Sequence, residues 1–378
     1  MEKGLIVIVL SLCFGCCFSQ DPCNDELIMS VKGKWIKRPD ANMKAGNQAQ
    51  IISRLDKMQQ LLQAAYPQPM GIEAGWYRSM EGHNSSINNN ATSYVLDALF
   101  KAYYCNSNVN KMLLGDETGT WFYVWANKFA WFVQPVSEFT IQQQPVYLLT
   151  PKEGEFKGYS LHKGLHNQNS NTGTRYSRTI IITRKGESPY VAVTRKLYLQ
   201  AFLLYNQKKL PEVLASIEKN TPVKTEEQEE ANKKIQLEKI EKTTTAARVA
   251  RMKESFLQNY VTDKQRKEKW IADTKTRYEK EMKVVKDFMA NSKTDELEQP
   301  AILDGIDISS FKGFSSDAKG GQQLVRLNPD YFNSKLAAYI PQFMVVYWSW
   351  DKGKAEENFK NQLEANFNFA ALQEMIDK

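Results

Sequence analysis

From residue 207 to about residue 293 nearly every second or third residue is charged, and Pro211 and Pro222 are the only prolines. So polar a stretch cannot supply its own core, and it reads as one long helix or a helical hairpin. Val249, Met252, Phe256 and Tyr260 keep helical spacing, as do Ile271, Tyr278, Met282, Val285 and Met289. Two weak points interrupt it. Thr262-Asp263-Lys264-Gln265 has the form of a capping box, which predicts a break near Val261. The β-branched run Thr243-Thr244-Thr245 lowers helix propensity. The heptads are imperfect and poor in Leu, which favours a hairpin or long helix packed on its own chain over a coiled-coil-like arm that pairs two copies.

The rest of the chain must build the core. Residues 20–206 read as an N-terminal α+β domain, 207–294 as the charged helical segment, and 295–378 as a C-terminal α+β segment. The fold class expected is therefore α+β, with a mostly antiparallel sheet, flanking helices and a long charged helical segment. Trp35-Ile36 reads as a short strand. Ile51, Ile52, Leu55, Met58, Leu61 and Leu62 place one apolar face on a helix over about 46–65, stopped by Pro67 and Pro69. A second helix is expected from Thr92 or Ser93, with Val95, Leu96, Leu99 and Tyr103 on its apolar face.

The composition then turns aromatic and β-branched. Residues 120–125 and 129–133 flank Ala126-Asn127-Lys128 and predict a tight hairpin. Further strands are expected over 146–149, 156–161, 177–183, 323–327 and 343–350, in an antiparallel meander. Thr194 caps a helix carrying Leu197, Ala201 and Leu204. Residues 355–367 and 369–376 read as helices. The C-terminal strands either complete the N-terminal sheet, giving one discontinuous domain, or form a small domain of their own.

The compartment follows from the first residues. Lys3, an apolar run from Leu5 to Phe14 and Cys17-Phe18-Ser19 have the form of a secretory signal over residues 1–19. Lipidation at Cys16 or Cys17 is the less favoured fate. The expectation is export to the periplasm or extracellular space, with no transmembrane segment in the mature chain. Asn84 and Asn90 open glycosylation sequons for a eukaryotic source. Of five cysteines, the signal takes Cys13, Cys16 and Cys17, which leaves Cys23 and Cys105 to form a disulfide. The net charge of +7 is mild for this length. Export argues against a nucleic-acid partner, while a basic surface suits anionic envelope polymers or lipids.

Motifs for chemistry are sparse. His162-x-x-x-His166 has the spacing of a metal pair. Its Gly164 spoils a helix, no Glu follows the first His, and a third ligand such as His83 is needed. Neither a nucleophile elbow nor a phosphate loop occurs. The pairs Glu153/Glu155 and Asp304/Asp307 are close only in sequence, so no catalytic residue is assigned and no cofactor is implied. The aromatic strands are the most suggestive feature. Strand alternation sends Trp121, Tyr123 and Trp125 to one side and Phe122 and Val124 to the other, while Phe129 shares a side with Trp131. Such residues serve a core or a stacking platform for a sugar or peptide. Trp348 and Trp350 pose the same choice. The expected function is a non-enzymatic binding or structural protein that meets a protein or glycan partner, as a monomer or a weak homodimer through the helical segment. The alternative is a secreted or periplasmic hydrolase acting on a polymer such as a glycan.

Overall fold

The computed structural model describes residues 23–44, 47–83, 91–106, 108, 111–116, 118–129, 133–164, 169–170, 173–174, 176–305 and 310–378. The expected signal segment 1–19 and the sequon residues Asn84 and Asn90 lie outside the described residues. The chain opens with α1 (Asp25–Ser30), β1 (Trp35–Lys37) and α2 (Gln48–Ala65). Strands β2 (Ile72–His83), β3 (Thr92–Asn106), β4 (Lys111–Leu114), β5 (Thr120–Ala126), β6 (Val133–Ile141), β7 (Gln144–Leu149), β8 (Lys152–Phe156) and β9 (Tyr159–Lys163) follow. Next come the two-residue strands β10 (Asn169–Ser170) and β11 (Gly173–Thr174), then β12 (Tyr176–Ile182) and β13 (Tyr190–Ala192). The helical segment holds α3 (Arg195–Asn220), α4 (Glu226–Thr243), α5 (Ala246–Asn259), α6 (Asp263–Asn291) and α7 (Thr294–Leu297). The C-terminal part adds β14 (Ile302–Leu303), β15 (Gln322–Leu327), β16 (Met344–Trp350), α8 (Lys354–Asn366) and α9 (Phe369–Gln373).

The fold is α+β. The larger sheet runs β1-β2-β3-β5-β16-β12-β9-β8, with β4 on β3, and among the described residues only its β1–β2 strand pair is parallel. A smaller antiparallel sheet runs β13-β15-β7-β6, with β14 on β15. Strand β16, from beyond the helical segment, pairs β5 on one side and β12 on the other, and β15 likewise joins β13 and β7.

Side-chain alternation stacks these sheets into four layers. Even-numbered residues such as Leu96, Phe122, Val124, Ile180, Val346 and Trp348 pack under α2, α8 and α9. Odd-numbered Val95, Trp125, Ile181 and Val345 face Tyr147, Leu149 and Val325 of the smaller sheet. The reverse side of that sheet, Val146, Leu148 and Leu324, meets Tyr198, Leu199 and Phe202 of α3 and Val285 of α6.

Two sequence expectations are corrected here. The segment from Thr92 is not a helix but β3. Its apolar residues satisfy a helical stripe, yet the whole run from Ala91 to Phe100 is buried, as a central strand covered on both faces requires. The hairpin around Asn127 also does not form. β5 pairs with β3 and β16, and the chain crosses to the other sheet beyond Asn127. Asn127 is buried at a positive φ of 57°. Its side-chain amide donates to the carbonyls of Thr92 and Ile340 and its Oδ1 accepts from the Gln342 amide, which anchors the corner.

In the helical segment α3 packs on α6, and α4 and α5 form the outer hairpin. The α4–α5 break falls at Thr244-Thr245, and Thr262 caps α6 in the capping box, with Gln265 answering its amide. No described helix is long and apolar enough to cross a membrane. A disulfide joins Cys23 to Cys105, with Cα atoms 5.6 Å apart, and so ties the segment before α1 to the end of β3.

Candidate functional site

The odd-numbered face of the larger sheet carries a row that crosses six strands. Ladder register sets Tyr77 of β2 opposite Asp97 of β3, then Tyr123 of β5, Tyr347 of β16, Thr179 of β12 and His162 of β9. Directly paired side chains on one face lie within contact range, so the register alone assembles this row. On β5 itself the rings climb as a ladder. Trp121 and Tyr123 stack at 5.8 Å and 8°, and Tyr123 and Trp125 at 6.4 Å and 20°. Tyr347 meets Tyr123 at 5.8 Å.

The smaller sheet covers only part of this face. Trp125 is buried beneath it and carries the Lys128 ammonium 4.4 Å from its ring. Trp121, Tyr123 and Tyr77 remain half-buried. Trp121 is held by its indole N–H, which donates to the Thr118 carbonyl at 3.0 Å. Beside Tyr77 lies Arg38, and Gly75 makes room for it: a Cβ at that position would stand 2.6 Å from Arg38 Nε. Arg38 forms no ion pair among the described residues.

Asp97 is the electrostatic centre of the row. The residue is 6% exposed, its Oδ2 accepts from the Tyr77 hydroxyl, and its Oδ1 is buried with no hydrogen-bond partner among the described residues. Burial raises its pKa to about 6, against the opposing pull of the Tyr77 hydrogen bond and the Arg38 charge. Burial and then the Asp97 carboxyl drive the Tyr77 and Tyr123 hydroxyls far above the usual phenol range, so both act as neutral donors. Two more buried polar atoms on this face, Trp125 Nε1 and Thr179 Oγ1, also lack partners among the described residues. Orphaned polar atoms are rare in folded interiors, and these three share one face of the larger sheet.

At the other end of the row His162 is buried, with Nδ1 2.8 Å from the Thr150 carbonyl. A carbonyl only accepts, so Nδ1 carries the proton. Burial lowers the pKa of this imidazole. Its register neighbours are Thr179 and Lys152, neither a good metal ligand. Among the described residues no group of three His, Cys, Asp or Glu side chains is placed to hold a metal ion. His166 and Trp131 lie outside the described residues.

The chain matches no protein family model, no curated protein and no solved structure.

The structure thus brings Trp121, Tyr123, Trp125 and His162 onto one face. It places Trp348 on the opposite face, buried against Phe156 and Phe369 with its N–H donating to Glu364. Sequence reasoning missed Arg38, Tyr77, Asp97 and Tyr347. A usable signal existed for one of them. A lone Asp inside the apolar run from Tyr94 to Phe100 is out of place in a buried strand, and only the helical reading hid it. A separate cavity of about 480 Å³ opens between the β6–β7 turn and α3, lined by Ile141, Leu197 and Leu204.

Proposed function

We propose that this chain is an exported, non-enzymatic binding protein whose aromatic face takes a segment of a glycan from the envelope or extracellular space. The observation that carries the reading is the half-buried Trp121–Tyr123 stack beside the buried Asp97, with Arg38 next to Asp97 and Tyr77 in the same row. Sugar rings present apolar C–H faces that lie on aromatic rings, and hydroxyl edges that pair with planar charged groups. The Cys23–Cys105 bond supports export, since such bonds persist in oxidising compartments.

A hydrolase would use Asp97 as its acid, because a carboxyl near pKa 6 can donate a proton at neutral pH. Glycoside cleavage needs a second carboxyl across the bond, and both register neighbours of Asp97 are tyrosines. Binding without cleavage is therefore favoured.

The test is calorimetry against a panel of neutral and acidic oligosaccharides, with wild type and Trp121→Ala. The expected result is binding by the wild type and at least a tenfold loss, roughly, in the variant, with the fold retained. Failure of every oligosaccharide to bind, or equal binding by the variant, overturns the reading. Mass spectrometry of the recovered oligosaccharide distinguishes the hydrolase, which would return it cleaved.

A further inference from the structure

The outer hairpin of the helical segment is chemically unlike the rest of the molecule. Between Lys233 and Lys253 seven basic residues stand against two acidic ones, Glu238 and Glu241. Most of the chain's net charge of +7 therefore sits at this closed end. Lys253 is engaged by Glu241, and Lys233 by Glu230. Lys239, Lys242, Arg248 and Arg251 have no ion-pair partner among the described residues.

The same end has no core. None of residues 230–273 is buried, although α4 and α5 carry regular apolar positions. Ile235 is 60% exposed and Met252 46%. α5 sets Val249, Met252 and Phe256 on one face and Arg248 and Arg251 away from it. A helix of 14 residues is marginal by itself, and α4 covers only part of its apolar face.

Long apolar side chains beside unpaired cations match a bilayer surface, where the former enter the acyl boundary and the latter meet phosphates. A soluble polyanion would engage the cations and leave Ile235 and Met252 in water. We propose that the closed end of the α4–α5 hairpin docks on an anionic lipid surface, and holds the sheet body beside the membrane without spanning it.

The experiment is flotation of the disulfide-bonded protein with phosphatidylcholine vesicles, with and without phosphatidylglycerol. Binding is expected only where phosphatidylglycerol is present. Each basic residue near the surface is worth roughly fivefold in affinity. Arg248→Gln with Arg251→Gln, and separately Lys239→Gln with Lys242→Gln, should each weaken binding by roughly 25-fold. These side chains make no ion pair, and the two pairs lie on different helices, so misfolding of one helix cannot mimic both losses. Met252→Ser should cost a further few-fold on vesicles and nothing on soluble polyphosphate. Equal binding to neutral vesicles, or no loss in the glutamine variants, overturns the proposal. So does polyphosphate binding as tight as vesicle binding together with an indifferent Met252→Ser, which would assign the patch to a soluble polyanion.

Discussion

The Tyr77 hydroxyl donates to Asp97 Oδ2 at 2.5 Å across the paired strands β2 and β3. This bond satisfies one oxygen of a buried carboxyl whose other oxygen has no partner among the described residues. The sheet thus holds an ionisable group where its charged form is disfavoured, on the face that the aromatic ladder occupies.

That cost should appear as pH-dependent stability. Asp97 titrates near 6 when folded, against 3.8 for a free side chain. The folded protein binds this proton more tightly, so the contribution is complete below about pH 4 and is lost as pH rises through 6. Asp97→Asn keeps an acceptor for Tyr77 and carries no charge. Thermal unfolding from pH 4 to 7 should show the variant gaining on wild type by on the order of 2–3 kcal/mol. Parallel curves would sink the assignment.

Arg78 should behave in the opposite sense. It is buried, and its guanidinium binds Asp40 Oδ2 at 2.6 Å and Asp56 Oδ1 at 2.7 Å. Burial pushes the Asp40 pKa up, but the hydrogen bonds and charge of Arg78 outweigh it and leave it lowered. Stability from this pair is present above the ordinary aspartate pKa and is lost as pH falls through the lowered value. Arg78→Ala should cost roughly 3–5 kcal/mol at neutral pH, by denaturant unfolding. It should also flatten the acid limb below about pH 4.

Trp121 and Trp125 stand four residues apart on one face of β5 and should separate binding from packing. Trp125 is 7% exposed in the inter-sheet core, so Trp125→Ala should cost roughly 3–5 kcal/mol. Trp121 is half-buried, and Trp121→Ala should cost about 1–2 kcal/mol while removing the stacking surface. Denaturant midpoints read beside oligosaccharide affinity check both, and similar stability losses at the two sites would contradict partial cover of this face by the smaller sheet.

Breaking Cys23–Cys105 should destabilise the chain by roughly 4–5 kcal/mol, because the cysteines stand 82 residues apart in sequence and the bond closes a long loop. Hydrogen exchange under reductant should show α1 losing protection first, since the bond anchors the segment before it to β3. Unchanged protection would mean that the contacts of α1 with α8 hold it unaided.

Local signals were legible wherever neighbours in sequence are neighbours in space. The Thr262 capping box, the break at the threonine run and the apolar face of α2 each depend on residues a turn or two apart. The alternation of β5 is equally local, and it sorted Trp121, Tyr123 and Trp125 from Phe122 and Val124 correctly. The cysteine pairing needed only a count, once the expected signal segment was set aside.

The partners of those elements were not local. Residues 92–100 fit a helical stripe and a buried strand equally well, and only cover on both faces decides for the strand. The ladder that joins Tyr77, Asp97, Tyr123, Tyr347, Thr179 and His162 draws on six strands spread over most of the chain. Sequence by itself determined which side chains share a face of one strand, because that follows from the pleat. Tertiary structure alone decided which strands lie side by side, because register is settled by burial on both faces of a sheet whose strands come from both sides of the helical segment.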